Sequence, residues 1–430
     1  MGRFRWPVSR RIVLRSALAS LALRVPLRAQ EQKRDYDESK VRSYTVPDPL
    51  LLSNGQRVTS AAVWQKRRAE ILGLFEANMY GRFPGRLPET RYEVTSVVKD
   101  ALGGKAERKL ITAFFTNKKA TRTMDILVYL PKQRRQPVPM FVGVNFRGNQ
   151  TINSDPGIPI SSKWAPFGPD RRATEATRGF QDKQWQVEHI LERGYGLATI
   201  YSADLSPDFN GGFDLGVQPL FHRDGRTGRE PDEWGALCAW AWGLSRTMDY
   251  CETDHDIDAA RVAVMGHSRM GKTALWAGAH DTRFAMVVSN CSGAGGATLA
   301  RRRFGESVKG LGRTFPFWFC ESFQKFADNE DALPIDQHEL LALCAPRPLY
   351  IGVADQDLGS DPRGQFLAAV NASPVYKLLG TDGFGATEMP PVHKPIETTI
   401  GFHMRAGRHD ITMYDWDRYL DFADQRMRIQ

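Results

Sequence analysis

An α/β fold, a three-layer sandwich around a mostly parallel sheet, is what this sequence predicts, and three observations carry the prediction. From about residue 196 onward, short apolar runs alternate with longer helical stretches, a pattern that calls for parallel strands joined by helical crossovers. One of those strands ends in Gly266-His267-Ser268 and passes directly into a helix-forming run. The chain has 430 residues, 42% hydrophobic and 25% charged, so it can bury a large core, and these proportions exclude disorder, collagen and coiled coil.

The formal net charge of +9 does not indicate a nucleic-acid partner, because seven arginines and no acidic residue fall in residues 1–29 and the rest is close to neutral. This segment has a basic start, a weakly apolar middle and Ala29 at a position a peptidase could cut. Ser9-Arg10-Arg11-Ile12-Val13-Leu14-Arg15 resembles a twin-arginine export signal, so the chain is expected to be exported, to the periplasm or beyond the cell. No run of about 18 uninterrupted apolar residues occurs, so no membrane span is expected. Five cysteines without a C-x-x-C spacing argue against a zinc site and a dense disulfide framework. Cys238 and Cys251 fall on one predicted helix, about 20 Å apart at helical rise, too far to bridge.

Residues 30–430 are expected to form a single domain with insertions. Apolar positions at helical spacing beside a charged face predict a surface helix over 63–80. Strands follow at 92–98, 109–115, 124–130 and 139–145, the last ending in Phe146-Arg147-Gly148-Asn149. A loop-rich insertion, 150–179, leads to a helix and a strand at 196–201. Then come a helix at 233–250, a strand at 261–265, a helix from Arg269, a strand at 285–289, a helical stretch near 319–326, an apolar run at 349–353 and a final helix at 413–423.

The chemistry centres on Val262-Ala263-Val264-Met265-Gly266-His267-Ser268-Arg269-Met270-Gly271-Lys272. A buried strand that turns through glycine into a helix, with serine at the apex, is a nucleophile elbow, although Met270 occupies the last glycine position of G-x-S-x-G. The alternative is a serine that only caps the helix. A serine nucleophile needs a base, and in this architecture acid and histidine follow it along the chain. His403 lies in an apolar run and is expected to pack, whereas His409, on a glycine-containing loop before the last helix, can reach back to the elbow. The strand after the nucleophile helix ends in Asn290-Cys291-Ser292 and offers no carboxylate. The later loop Ala354-Asp355-Gln356-Asp357-Leu358-Gly359-Ser360-Asp361 does. Asp357 is preferred as the acid, with Asp355 second, and Asp361, before a proline, shapes a turn.

These residues resemble the bacterial glucuronoyl esterases, carbohydrate esterase family fifteen, over roughly residues 46–423. The segments that carry the resemblance run from Gly266 to Ala277, then Ser292-Gly293-Ala294-Gly295-Gly296 and Arg301-Arg302-Arg303-Phe304-Gly305-Glu306. They continue in Asp336-Gln337-His338, Ala345-Pro346-Arg347-Pro348, Asp361-Pro362-Arg363-Gly364 and the surroundings of His409. The resemblance implies an α/β-hydrolase fold and metal-free hydrolysis, with no cofactor, of methyl or lignin-alcohol esters of 4-O-methyl-glucuronic acid on glucuronoxylan. It implies Ser268 as nucleophile, His409 as base, Arg269 at the oxyanion through its amide and guanidinium, Lys272 on sugar hydroxyls and Glu306 near the uronate. Two departures stand out. Cys291 replaces a glutamate found in many members, which leaves Asp357 as the partner for His409, and Gly359 replaces a common tryptophan beside the sugar. The expectation is therefore a monomeric serine esterase acting on a glucuronoxylan or lignin–carbohydrate ester. An acetyl or other carbohydrate esterase is the alternative, and the intact elbow and His409 argue against a catalytically dead sugar-binding module.

Overall fold

The computed structural model describes residues 35–222 and 229–427, and the arginine-rich leader of residues 1–29 lies outside them. These described residues fall in one compact unit. Its sheet begins with three long strands, β1 (Glu89–Asp100), β2 (Ala106–Thr116) and β3 (Thr121–Pro131), paired antiparallel. Their connections are short, and short connections return a chain antiparallel. The next strands are β4 (Val138–Asn145), β5 (Gly196–Tyr201), β6 (Ile257–His267), β7 (Met286–Asn290), β8 (Leu349–Ala354), β9 (Ile396–Glu397) and β10 (Ile400–Arg405). Among the described residues the sheet order is β1-β2-β3-β5-β4-β6-β7-β8-β10-β9, parallel from β5 to β10.

Successive residues of the central strands point to opposite faces, so both faces must be covered. Met140, Val142 and Val144 of β4 and Val262 and Val264 of β6 enter one core, whereas Phe141, Ala263 and Met265 enter the other. The helices α1 (Ala61–Phe75), α2 (Ala236–Cys251), α3 (Arg269–His280) and α4 (Pro362–Leu378) close the first core. The helix α5 (Met413–Arg426) and the short helix Val187–Glu192 close the second. Every residue of α2 is buried, as expected of a helix apolar on nearly all sides, and its Trp240 and Trp242 donate to the carbonyls of Ser206 and Gly85 at 2.8 and 3.1 Å. This is the predicted three-layer α/β architecture.

Several elements differ from the sequence expectation. The helix over 63–80 is α-helical only to Phe75, continues as a π turn, Glu76–Tyr80, and buries Trp64, Ile71, Phe75, Met79 and Tyr80. The Tyr80 ring stacks on Trp276 at 4.4 Å and its hydroxyl donates to the Gly295 carbonyl at 2.8 Å, contacts that the charged face of the sequence conceals. The helix predicted from 233 starts at Ala236, because Gly235 before it is extended, with φ −84° and ψ −176°, and lies so close to the Trp318 carbonyl that an added Cβ would come within 2.3 Å of it. The stretch near 319–326 is a 3-10 turn. The helix α4 and the strand β10 have no counterpart in the expectation. Pro374 interrupts the pattern of α4, and Gly401 and His403 interrupt the β-forming residues within β10. Asp361 does more than shape a turn, because it caps α4 through the Gly364 amide at 2.9 Å and pairs with the buried Arg302 at 2.8 Å. All five cysteines are free and buried.

Candidate active site

The strand β6 ends at the elbow. A Cβ on Gly266 would come within 1.9 Å of the Met270 carbonyl oxygen, so only glycine lets α3 start this close to the strand. Ser268 takes φ +59° and ψ −128°, a conformation side chains rarely adopt, and its amide donates to the Asn290 carbonyl at 2.8 Å. Such strain persists only where the surroundings over-determine it. The hydroxyl is thereby held above the N-terminus of α3, whose first amides lack helical acceptors.

His409 arrives on the loop between β10 and α5. Arg405 fastens that loop, its guanidinium donating to the Arg408 and Asp410 carbonyls at 2.8 and 2.6 Å and to the Asp415 carboxylate at 2.8 Å. Asp415, fully buried, also accepts from the Thr412 amide at 2.7 Å and from His403 Nε2 at 2.9 Å. His403 packs in the core, as its apolar setting predicts. From the loop, His409 Nε2 accepts from Ser268 Oγ at 2.8 Å while Nδ1 donates to Asp357 Oδ2 at 2.7 Å. The partners on either side select that tautomer.

Asp357 follows β8. Burial works to raise its carboxyl, but the hydrogen bond and charge of His409, with help from Ser360 and Cys291, outweigh burial and hold it below the usual carboxylate range. Asp355 faces away and accepts the Gly407 amide at 2.8 Å, shaping the histidine loop without touching the imidazole. Of the two aspartates that sequence reasoning left open, Asp357 is the one at the histidine. Cys291 is buried beside this pair with φ +47°. Among the described residues, the trio Cys291, Asp357 and His409 is the only group of three or more such side chains with metal-ligand spacing, its ligand atoms lying within 4.8 Å of one another.

Arg269, at the first position of α3, is ion-paired with Asp208, and its guanidinium lies over the rings of Trp318 at 4.7 Å, Phe146 at 4.9 Å and Phe315 at 5.3 Å. The other oxygen of Asp208 accepts from Trp318 Nε1 at 2.7 Å. Lys272, one turn further along α3, is buried and donates to the Ser292 carbonyl at 2.6 Å and to Glu306 at 3.3 Å. Burial lowers the Lys272 ammonium from its ordinary value although Glu306 opposes the shift. A cleft of about 270 Å³ opens beside these groups, lined by Phe146, Arg147, His267, Ser268, Arg269 and His409. His267 stands 4.6 Å from the His409 ring, and burial, then the neighbouring imidazole, lowers it to about 4, so it stays neutral at pH 7.

Sequence reasoning misses Asp208, Trp318, Phe146 and Arg405. Asp208 falls in the turn-rich stretch Ser206-Pro207-Asp208-Phe209-Asn210, where no periodicity marks it, and Trp318 lies just before the helical stretch expected near 319–326, outside any motif. An aromatic end to β4, at Phe146, is the one legible hint.

The chain is similar to known proteins along most of its length. A family model described as glucuronyl esterase of fungi matches residues 229–380. A curated prokaryotic protein, carbohydrate esterase MZ0003, is 49% identical over 406 residues, covering 93% of each chain. The solved structure of a glucuronoyl esterase from Solibacter usitatus is 49% identical, with a TM-score of 0.87 over 90% of this chain and 99% of that one. That of a promiscuous CE15 esterase from a marine bacterial metagenome is 48% identical, with a TM-score of 0.86 over 92% of this chain and all (100%) of that one. The sheet order, the elbow and these matches agree on an α/β-hydrolase that is a carboxylic ester hydrolase, and the chain belongs to the glucuronoyl esterases of carbohydrate esterase family 15.

Proposed function

We propose that this esterase cleaves esters of 4-O-methyl-glucuronic acid, as in linkages between lignin alcohols and glucuronoxylan, through a Ser268–His409–Asp357 triad. The observation that carries the reading is the unbroken path from Ser268 Oγ to His409 at 2.8 Å and from His409 to Asp357 at 2.7 Å. Ser268 Oγ attacks the ester carbon as its proton passes to His409 Nε2, and Asp357 stabilises the imidazolium that forms. The carbonyl oxygen becomes an oxyanion beside the Arg269 amide and guanidinium. Collapse expels the alcohol, which takes the proton from His409 and leaves a glucuronoyl ester on Ser268. Water, deprotonated by His409, then attacks that ester, and collapse releases the uronic acid as the proton on His409 returns to Ser268 Oγ.

Two features support the substrate. Lys272, one helical turn beyond Ser268, and Glu306 form a donor–acceptor pair of a kind suited to sugar hydroxyls. Arg147, which lines the cleft with Phe146, lies over the rings of Phe146, Phe167 and Phe180 at 5.0, 5.6 and 5.0 Å, and Phe180 is 64% exposed, an aromatic cluster on which an aromatic alcohol can stack. The test compares benzyl glucuronate with an acetylated xylo-oligosaccharide. We expect kcat/KM higher on the uronate ester by about 10²-fold or more, since a site built to pair with polar substrate groups discriminates strongly. Comparable rates would favour a broader carbohydrate esterase, a reading to which Gly359 and the promiscuity of the marine relative lend weight. Export by the twin-arginine-like leader would bring the enzyme to a polymer outside the cytoplasm.

Asp208 is a positioning residue in this scheme, because it holds the Arg269 guanidinium against Trp318. Arg269→Ala is expected to lower kcat by about 10²-fold, and Asp208→Asn by about tenfold, with KM nearly constant in both. Measured separately, a rise in KM with kcat intact would instead make the guanidinium a ground-state binding group.

A further inference from the structure

We propose that Cys291, Asp357 and His409 also form an inhibitory site for a thiophilic divalent cation of the zinc type. The three side chains come from separate loops, after β7, β8 and before α5, and present a sulfur, a carboxylate oxygen and an imidazole nitrogen within 4.8 Å of one another, Nδ1 being the nitrogen that faces Asp357. Tetrahedral zinc with ordinary bond lengths places such atoms about 3.4–3.6 Å apart. The 2.7 Å contact between His409 and Asp357 therefore has to open by about 0.7–0.9 Å, and the sulfur to approach by up to about 1.3 Å. A sulfur, nitrogen and oxygen set selects zinc, cobalt or cadmium over magnesium or calcium. The His409 side chain is 41% exposed and gives the cation its way in, and solvent can supply the fourth ligand.

The chemistry accounts for inhibition without any further reactant. The cation takes the Cys291 sulfur as thiolate, and the thiol proton goes to solvent. It takes the lone pair of Nδ1, so the ring proton moves from Nδ1 to Nε2. Nε2–H cannot accept the Ser268 proton, and the Asp357 oxygen that oriented the imidazole now binds the metal. A carboxylate in place of Cys291 would be a harder ligand, so the cysteine is the specific element. Spacing along the sequence argues against a zinc site, and three loops of the tertiary structure build this one.

The test uses the purified full chain. Benzyl glucuronate hydrolysis is measured against zinc chloride, with magnesium chloride as control, for the wild type, Cys291→Ala and Cys291→Ser, each normalised to its own metal-free rate. In parallel, cobalt chloride is titrated without substrate and the thiolate-to-cobalt absorption band is recorded, a readout that does not depend on the proposed triad or substrate. Zinc is expected to lower wild-type turnover by about tenfold or more, reversibly with a chelator, and both variants to need about tenfold more zinc for the same fractional loss. The cobalt band is expected in the wild type and absent from the variants. Equal zinc sensitivity of the wild type and a folded Cys291 variant, or no thiolate–cobalt band in the wild type, overturns the proposal. The wild-type titration decides by itself if neither variant folds.

Discussion

Ser268→Ala is expected to reduce turnover of a glucuronate ester by about 10⁵-fold, leaving the fold and KM nearly unchanged. Among the described residues, the serine is the only hydroxyl placed both against His409 Nε2, at 2.8 Å, and at the start of a helix. Alanine loses the nucleophile and touches little else, because the strained backbone at φ +59° is maintained by Gly266, by the Asn290 carbonyl and by the packing of α3. His409→Ala should fall by a similar factor, and the double variant by little more, since residues acting as one unit are not additive. Steady-state kinetics beside a thermal melt would check this. A Ser268→Ala enzyme within tenfold of wild type would leave the proposed acyl-enzyme without support.

Asp357→Asn carries the second-largest expected effect, a fall in kcat of about 10³–10⁴-fold in a folded protein. The carboxylate accepts from Nδ1 at 2.7 Å and so keeps the lone pair on Nε2, toward Ser268. An amide in its place can donate to Nδ1 and stabilise the opposite tautomer. Asp355→Asn is expected to cost little, because its side-chain oxygen only accepts the Gly407 amide and asparagine retains that oxygen. Cys291→Ala should stay within about fivefold of wild type, a thiol being a weak donor to Asp357. Wild-type turnover in Asp357→Asn would mean that hydrolysis runs on Ser268 and His409 alone.

Much of the site is legible in the amino-acid sequence because its parts are local. An elbow is one strand, one glycine-bearing turn and one helix in consecutive residues, so periodicity and the Gly266-His267-Ser268 step reveal it. The order of nucleophile, acid and histidine along the chain narrows the remaining partners to two short loops. The strands at the sheet centre are equally clear, since full burial on both faces demands continuous apolar runs such as Leu349–Ala354.

Where local signals conflict with long-range contacts, sequence patterns mislead. The helix Pro362–Leu378 escapes them because Pro374 breaks its periodicity, whereas its start is secured by the adjacent Asp361 cap, which Arg302 holds from a distant segment. Asp208 looks like one more turn residue. It is identified only by Arg269 and Trp318, about sixty and one hundred and ten residues away, closing on its two oxygens.

By itself, then, the sequence determined the layered α/β class and pointed to Ser268 and His409 of the proposed triad, because backbone periodicity and turn chemistry act over a few residues. The tertiary structure alone decided between Asp355 and Asp357, which are two positions apart in one loop and point to different partners. It alone supplied the Asp208 anchor of Arg269, the Arg405 clamp on the histidine loop and the juxtaposition of Cys291 with the Asp357–His409 pair. Each of these depends on the direction of a side chain across a gap between loops, which packing of the whole sheet sets and no local pattern encodes.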